Sequence, residues 1–137
     1  QPGYIYVLIL CAGFGVILGH NFPFYLKFKG GKGIAATAGI MFSLDWRLTA
    51  VCLLAFVLIV AVTRYVSLGS LVVSAIFLCW NIYFGHLGAY GLAPEARPQF
   101  YAVSAVIAAM AFWRHRANIV RLVQGRENKV GAKKKSE

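Results

Sequence analysis

Five apolar runs, at about 4–18, 34–44, 48–62, 66–83 and 100–113, take up most of this 137-residue chain and leave its charge to the gaps between them. Hydrophobic residues make up 60% of the sequence and charged residues only 13%, and the mean hydropathy is +0.69. That balance lies outside the usual range for a water-soluble domain and makes lipid the expected solvent for most of the chain. About 20 apolar residues span about 30 Å of hydrocarbon, so several runs need helical continuation into the loops or local thinning of the bilayer. The expected fold is all-α and polytopic, with five transmembrane helices.

Charge sets the orientation. If all five runs cross, one side receives Lys27, Lys29, Lys32, Arg64 and the eight basic residues from Arg114 onward, whereas Arg47 and Arg97 on the other side are matched by Asp45 and Glu95. Short loops rich in Lys and Arg stay cytoplasmic, which places the N-terminus outside and the C-terminus inside. A re-entrant second run would strand the basic C-terminus outside. The net charge of +10 does not point to nucleic acid, because the basic residues fall in gaps between apolar runs and do not form a soluble basic face. Anionic headgroups and phosphorylated small molecules are the expected partners. No Lys, Arg, Asp or Glu falls in the middle of a run, which argues against an ion path through the bilayer. Chemistry is therefore expected at the cytoplasmic face, in a membrane domain over 1–128 followed by a basic, disordered tail over 129–137. Cys11, Cys52 and Cys79 lie inside apolar runs with no metal-ligand spacing and read as small buried hydrophobes. The chain opens on Gln1-Pro2 with no recognisable signal peptide.

Three polar clusters share the cytoplasmic side. In the first, "GHNFPFYLKFKGGKG", Gly30, Gly31 and Gly33 let the backbone approach a ligand closely, and Lys27, Lys29 and Lys32 supply charge. A helix expected from Ile34 adds free N–H groups and a positive dipole end that attract anions. Lys32 is followed by Gly33 and not by Ser or Thr, so this is not a Walker A loop. Phosphate binding is the reading favoured here over a loop that merely obeys the positive-inside rule. His20 is either a general base or phosphate donor, or a solvated interfacial histidine. The second cluster, "TRYVSLGS", offers Thr63, Arg64, Ser67 and Ser70, with Arg64 equally a topology anchor and Ser67 an N-cap. In the third, "RHRANIVRLVQGRE", the spacing puts His115, Asn118 and Leu122 along one helical face, or makes the segment an amphipathic helix on the membrane surface.

Taken in this order, "GHNFPFYLKFKGGKGIAAT", "TRYVSLGS" and "RHRANIVRLVQGRE" resemble the acyl-phosphate-dependent glycerol-3-phosphate acyltransferases, the PlsY family, over nearly the whole chain. The resemblance implies an integral enzyme of the bacterial inner membrane with about seven helices. It moves a fatty acyl group from acyl phosphate to the 1-hydroxyl of glycerol 3-phosphate, releasing phosphate and lysophosphatidic acid for phospholipid synthesis. It implies no acyl-CoA, no metal and no cofactor, and it makes an enzyme that produces acyl phosphate a natural partner. By the same resemblance His115 and Asn118 are catalytic. Substrate binding falls to His20, Lys27, Lys29, Gly30, Gly31, Lys32, Gly33, Thr37, Arg64, Ser67, Arg121 and Glu127. The acids are Asp45, Glu95, Glu127 and Glu137, and no Ser-His-Asp arrangement is evident. Direct attack by the substrate hydroxyl, with the proton passing to His115 or to a substrate phosphate, is thus expected over a covalent acyl-enzyme. Members of the family carry about two further helices and a Gly-Ser-Gly-Asn-x-Gly motif ahead of the matched region. Nothing like that motif precedes residue 19, so the chain is expected to correspond to roughly the last two-thirds of a member. The rival reading is a membrane transporter of an organic phosphate, for which internal repeats and midplane polar sites are the marks; neither is visible. A non-catalytic membrane scaffold would not need the glycine cluster.

Overall fold

The computed structural model describes residues 2–21 and 34–131, and among them the chain is helical throughout its regular structure. A 3₁₀ turn at Pro2–Tyr4 leads into α1 (Ile5–Asn21), followed by α2 (Ile34–Leu44), α3 (Trp46–Thr63), α4 (Val66–His86), α5 (Arg97–Arg114) and α6 (Arg116–Val123). The five apolar runs thus correspond to α1–α5. The glycine-lysine loop, with Lys27, Lys29, Gly30, Gly31, Lys32 and Gly33, lies outside the described residues, as do the side chains of His20 and Thr37. α2 does begin at Ile34.

The breaks between helices have local causes. α2 and α3 are separated by Asp45 alone, whose extended backbone and carboxylate cap α3 by accepting the Arg47 N–H at 2.9 Å. Arg64 ends α3 in the left-handed region, φ 63°, and Tyr65 then re-extends the chain before α4. Ser67 is not the N-cap of α4: Tyr65 occupies that position, and the Ser67 hydroxyl is taken by a residue far along the chain. Gly88 and Gly91, both at positive φ, turn the backbone after α4, and Pro98 sits in the first turn of α5, where its missing N–H costs nothing.

Each helix packs on its neighbour in the chain, and α5 closes back on α1, so α1–α5 form a ring. Leu10, Met41, Leu48, Phe77 and Phe100 are fully buried within it. Small residues set some of the closest approaches: a β-carbon on Gly13 would fall 2.5 Å from Ile40, and one on Gly69 would fall 2.8 Å from the Phe56 ring. The outer surface is apolar. Along α3, Leu53, Leu54, Val57, Leu58 and Val62 are exposed, and among its residues only Leu48 and Cys52 are buried. Among the described residues, α3 and α4 are long and apolar enough to cross a membrane, and α1 is a shorter apolar helix. Of the three cysteines only Cys52 is buried; Cys11 and Cys79 face outward, because an apolar run around a helix needs no protein cover where its surroundings are apolar too.

Candidate active site

α3 and α4 meet at Arg64-Tyr65, and the ends of α4 and α5 on that side bring the second and third polar clusters together. The centre of the contact is Glu127, whose side chain is 3% exposed. Oε2 accepts hydrogen bonds from Ser67 Oγ at 2.8 Å and Asn118 Nδ2 at 2.8 Å. Oε1 accepts from Arg121 Nε at 3.1 Å and from the Asn128 backbone N–H at 2.9 Å. Burial opposes the negative charge, but the donors Asn118, Asn128, Ser67 and Arg121 outweigh it and hold the carboxyl at about 2. At neutral pH Glu127 is therefore a fixed anion and no proton carrier. Each of its oxygens accepts two hydrogen bonds from its own chain.

His115 stands where α5 and α6 meet, not within one continuous helix as its spacing to Asn118 and Leu122 suggested. Its backbone at φ −100°, ψ 13° interrupts the helix, and its N–H is shared between the Ala111 and Phe112 carbonyls. The His115 carbonyl then accepts the Ile119 N–H at 2.9 Å and starts α6. The side chain is nearly fully buried. Nδ1 lies 2.7 Å from the Ala111 carbonyl oxygen. A carbonyl only accepts, so Nδ1 carries the hydrogen and Nε2 is the basic nitrogen of the neutral ring.

From His115 a cavity of about 370 Å³ runs into the ring, lined by Ala38 and Met41 of α2, Thr49, Cys52, Leu53 and Phe56 of α3, Ser70, Val73 and Ser74 of α4, and Ala111 of α5. Its hydroxyls are spent on their own helices: Thr49 Oγ1 donates to the Asp45 carbonyl, Ser70 Oγ to Val66 and Ser74 Oγ to Ser70. The walls thus present carbon to whatever enters, with the imidazole at one end. An apolar chain with a polar head at His115 matches that distribution.

Among the residues expected at the site, Ser67, Asn118, Arg121 and Glu127 are joined directly, with His115 one turn away from Asn118 and Arg64 in the adjoining turn. The sequence reading missed the cavity. Its signal was present in α4, where Ser67, Ser70 and Ser74 recur at i, i+3 and i+7 and mark a small-residue face inside an apolar helix. Of the disordered tail expected over 129–137, residues 132–137 lie outside the described residues, and at 129–131 the Val130 N–H donates to the Arg64 carbonyl at 2.8 Å.

A sequence profile described as glycerol-3-phosphate acyltransferase matches residues 3–125 of this chain. The chain belongs to the glycerol-3-phosphate acyltransferase family. A family member from Paramagnetospirillum magneticum is 38% identical over 130 residues, covering 95% of this chain and 59% of the relative. One from Rhodospirillum rubrum is 41% identical over 127 residues, 93% of this chain and 54% of the relative. The chain therefore spans a little over half the length of these curated relatives. It is also similar to the crystal structure of PlsY, an integral membrane glycerol 3-phosphate acyltransferase, in its glycerol 3-phosphate form, with a TM-score of 0.68 and 30% identity over 94% of this chain and 66% of that one. The lysophosphatidic acid form of PlsY matches equally, at 31% identity and a TM-score of 0.68.

Proposed function

We propose that this chain carries the acyl-transfer machinery of an integral membrane enzyme that moves a fatty acyl group from acyl phosphate to the 1-hydroxyl of glycerol 3-phosphate. The observation that carries the reading is the joining of two unlike environments at His115: an apolar cavity on one side, and the Arg64–Ser67–Asn118–Arg121–Glu127 cluster on the other. Such a junction suits a substrate that is apolar along its length and charged at its head. Family membership and similarity to PlsY structures in glycerol 3-phosphate and lysophosphatidic acid forms support the same substrates.

In this reading the acyl chain lies in the cavity with its carbonyl carbon near His115. Glycerol 3-phosphate is held by Arg64, Arg121, His20, Thr37 and the segment bearing Lys27, Lys29, Gly30, Gly31, Lys32 and Gly33. The 1-hydroxyl attacks the carbonyl carbon, its proton passes to Nε2 of His115 or to a substrate phosphate, and the bond from carbonyl carbon to phosphate oxygen breaks. The products are lysophosphatidic acid and phosphate. Phosphate is a good leaving group, so positioning two anions beside one another is the main task of the protein. Glu127 contributes by fixing Asn118, Ser67 and Arg121. The test is formation of lysophosphatidic acid from acyl phosphate and glycerol 3-phosphate by membranes containing the protein, with acyl-CoA as control donor. Product from acyl phosphate alone is expected when the chain is supplied with the N-terminal part of a full-length relative, and little or none from the chain by itself; equal product from acyl-CoA, or none from the completed protein with either donor, removes the reading.

The same reading takes α1–α5 as five crossings, with the site at the cytoplasmic surface and the C-terminus inside. The basic residues of α6 and the stack of Arg116 on Trp113, 4.2 Å from the ring centroid, suit an interfacial helix at a headgroup layer. In a variant lacking the native cysteines, Leu87→Cys and Gln124→Cys are expected to label from opposite faces, the latter from the cytoplasm. Labelling of both from one face excludes an odd number of crossings between them.

A further inference from the structure

The family match ends at residue 125, yet the chain beyond it does not leave the site. Residues 127–131 lie across the α3–α4 turn. Val130 donates its N–H to the Arg64 carbonyl at 2.8 Å, and the Lys129 ammonium sits over the Tyr65 ring, 5.7 Å from its centroid. Glu127 anchors the segment on Ser67. Gly131, at φ 79°, brings its backbone against the Arg64 guanidinium so closely that a β-carbon there would stand 2.5 Å from Nη2.

Arg64 needs such support. It is the only non-glycine residue at positive φ among the described residues, and a side chain in that region persists when the surroundings hold it there. The helix itself supplies one bond, from the Arg64 N–H to the Val60 carbonyl at 2.8 Å. The carbonyl of Arg64 is held by the C-terminal segment instead, and Gly131 lies against its guanidinium. We propose that Val130 and Gly131 are positioning residues: they strap the turn so that the Arg64 guanidinium is presented to the phosphate of glycerol 3-phosphate in one arrangement. The proposal rests on the reading above that Arg64 contacts that substrate. It makes the segment after the family match part of the binding machinery, with Gly131 favoured because its φ of 79° suits glycine and a β-carbon there would push the guanidinium aside.

The test is a double-mutant cycle in membranes carrying the protein. Gly131→Ala places a β-carbon that displaces the guanidinium and strains a backbone at φ 79°, and Val130→Pro removes the N–H; each is made alone and together with Arg64→Ala. Affinity for glycerol 3-phosphate is read both as KM and, independently of turnover, as ligand-dependent thermal stabilisation. Each strap variant is expected to weaken affinity about five- to tenfold with kcat changed by less than about twofold, the pattern of lost ground-state binding. In the Arg64→Ala background neither is expected to have a further effect, since residues acting through one group are not additive. Unchanged affinity in Gly131→Ala and Val130→Pro, with Arg64→Ala impaired, overturns the strap while leaving Arg64 in the site. Losses that persist undiminished on Arg64→Ala show a merely structural segment and also overturn it. Wild-type affinity in Arg64→Ala itself removes Arg64 from the substrate site, and the proposal with it.

Discussion

At the His115 end of the helical ring, one carboxylate gathers Ser67, Asn118, Arg121 and the Asn128 N–H. At the opposite end, Asn81 of α4 donates to Ser104 of α5 at 3.0 Å and accepts from Tyr90 at 3.1 Å. Both clusters are buried and both tie α4 to later parts of the chain, but one is charged and the other neutral. A neutral amide network satisfies buried polar groups at little risk and fastens helices together. A buried charge is costly unless it is fully paired, and replacing it by apolar packing would often stabilise more. A carboxylate at the centre of one hydrogen-bonded cluster and none within the other suggests that its orientation of Asn118, Arg121 and Ser67 serves the reaction, whereas the Asn81 network serves the fold.

Removing the carboxylate should give the largest effect. Glu127→Ala leaves Ser67, Asn118 and the Asn128 N–H without their acceptor, a loss of about 3 kcal/mol in stability. Misplacement of Asn118 and Arg121 should lower acyl transfer about a hundredfold or more even in the folded fraction. Initial rates normalised to folded protein in detergent check this; near-normal rates per folded molecule would reduce the cluster to a structural clasp like the one at the other end.

The cavity joins the two ends and gives the next test. Thr49 lies near the start of α3, away from His115 along the helices, and lines the cavity. Thr49→Phe shortens the space without touching the polar cluster. The ratio of kcat/KM for long over medium-length acyl phosphates is expected to fall about tenfold, within the range that pocket contacts with a few methylenes can supply. An unchanged ratio in an active variant moves the acyl chain elsewhere.

At the Asn81 end the expected change is confined to stability. Asn81→Leu deletes both bonds of the amide and strands the Tyr90 and Ser104 hydroxyls, at about 1–3 kcal/mol. Denaturation in detergent should report it, while KM for glycerol 3-phosphate stays that of the parent. A raised KM would mean that the two ends are coupled and that the contrast drawn between them fails.

Much of this arrangement was legible in the sequence because its causes are local. Apolar runs bounded by polar clusters marked α1–α5, and the resemblance to the acyltransferase family put Ser67, Asn118, Arg121 and Glu127 at one site. The features that misled have distant causes. The Ser67 hydroxyl read as a cap, but its partner is 60 residues away. The helix break at His115 carries no proline or glycine; Asn118 docks on Glu127 beyond it, a contact that local spacing does not reveal. The lysine-rich composition after Asn128 resembles a solvated tail, which conceals a backbone bond from Val130 and a glycine packed on Arg64. The cavity was hidden for another reason: its serines and threonine satisfy their own helices and so look like ordinary small residues in an apolar run.

The effect confined to the narrowest range of conditions concerns acid. Glu127 is held at about 2 in the folded protein against an ordinary value of 4.5, so the unfolded chain binds a proton at a higher pH than the folded one. The stability it contributes is present above pH 4.5 and is lost as pH falls from there toward 2, at no more than about 1.4 kcal/mol per pH unit for one proton. The apparent melting temperature should therefore show no Glu127 contribution to its slope between about pH 8 and 5, and a downward one below about pH 4.5. Glu127→Gln, measured across the same range, should be less stable at about pH 7 and should lack that part of the slope, so that the two curves converge in acid. Asn81→Leu has no titrating group in its cluster near that range and should run parallel to the parent throughout. Convergence of Asn81→Leu with the parent, or a parallel offset for Glu127→Gln, would show that the charge is not what distinguishes the two ends.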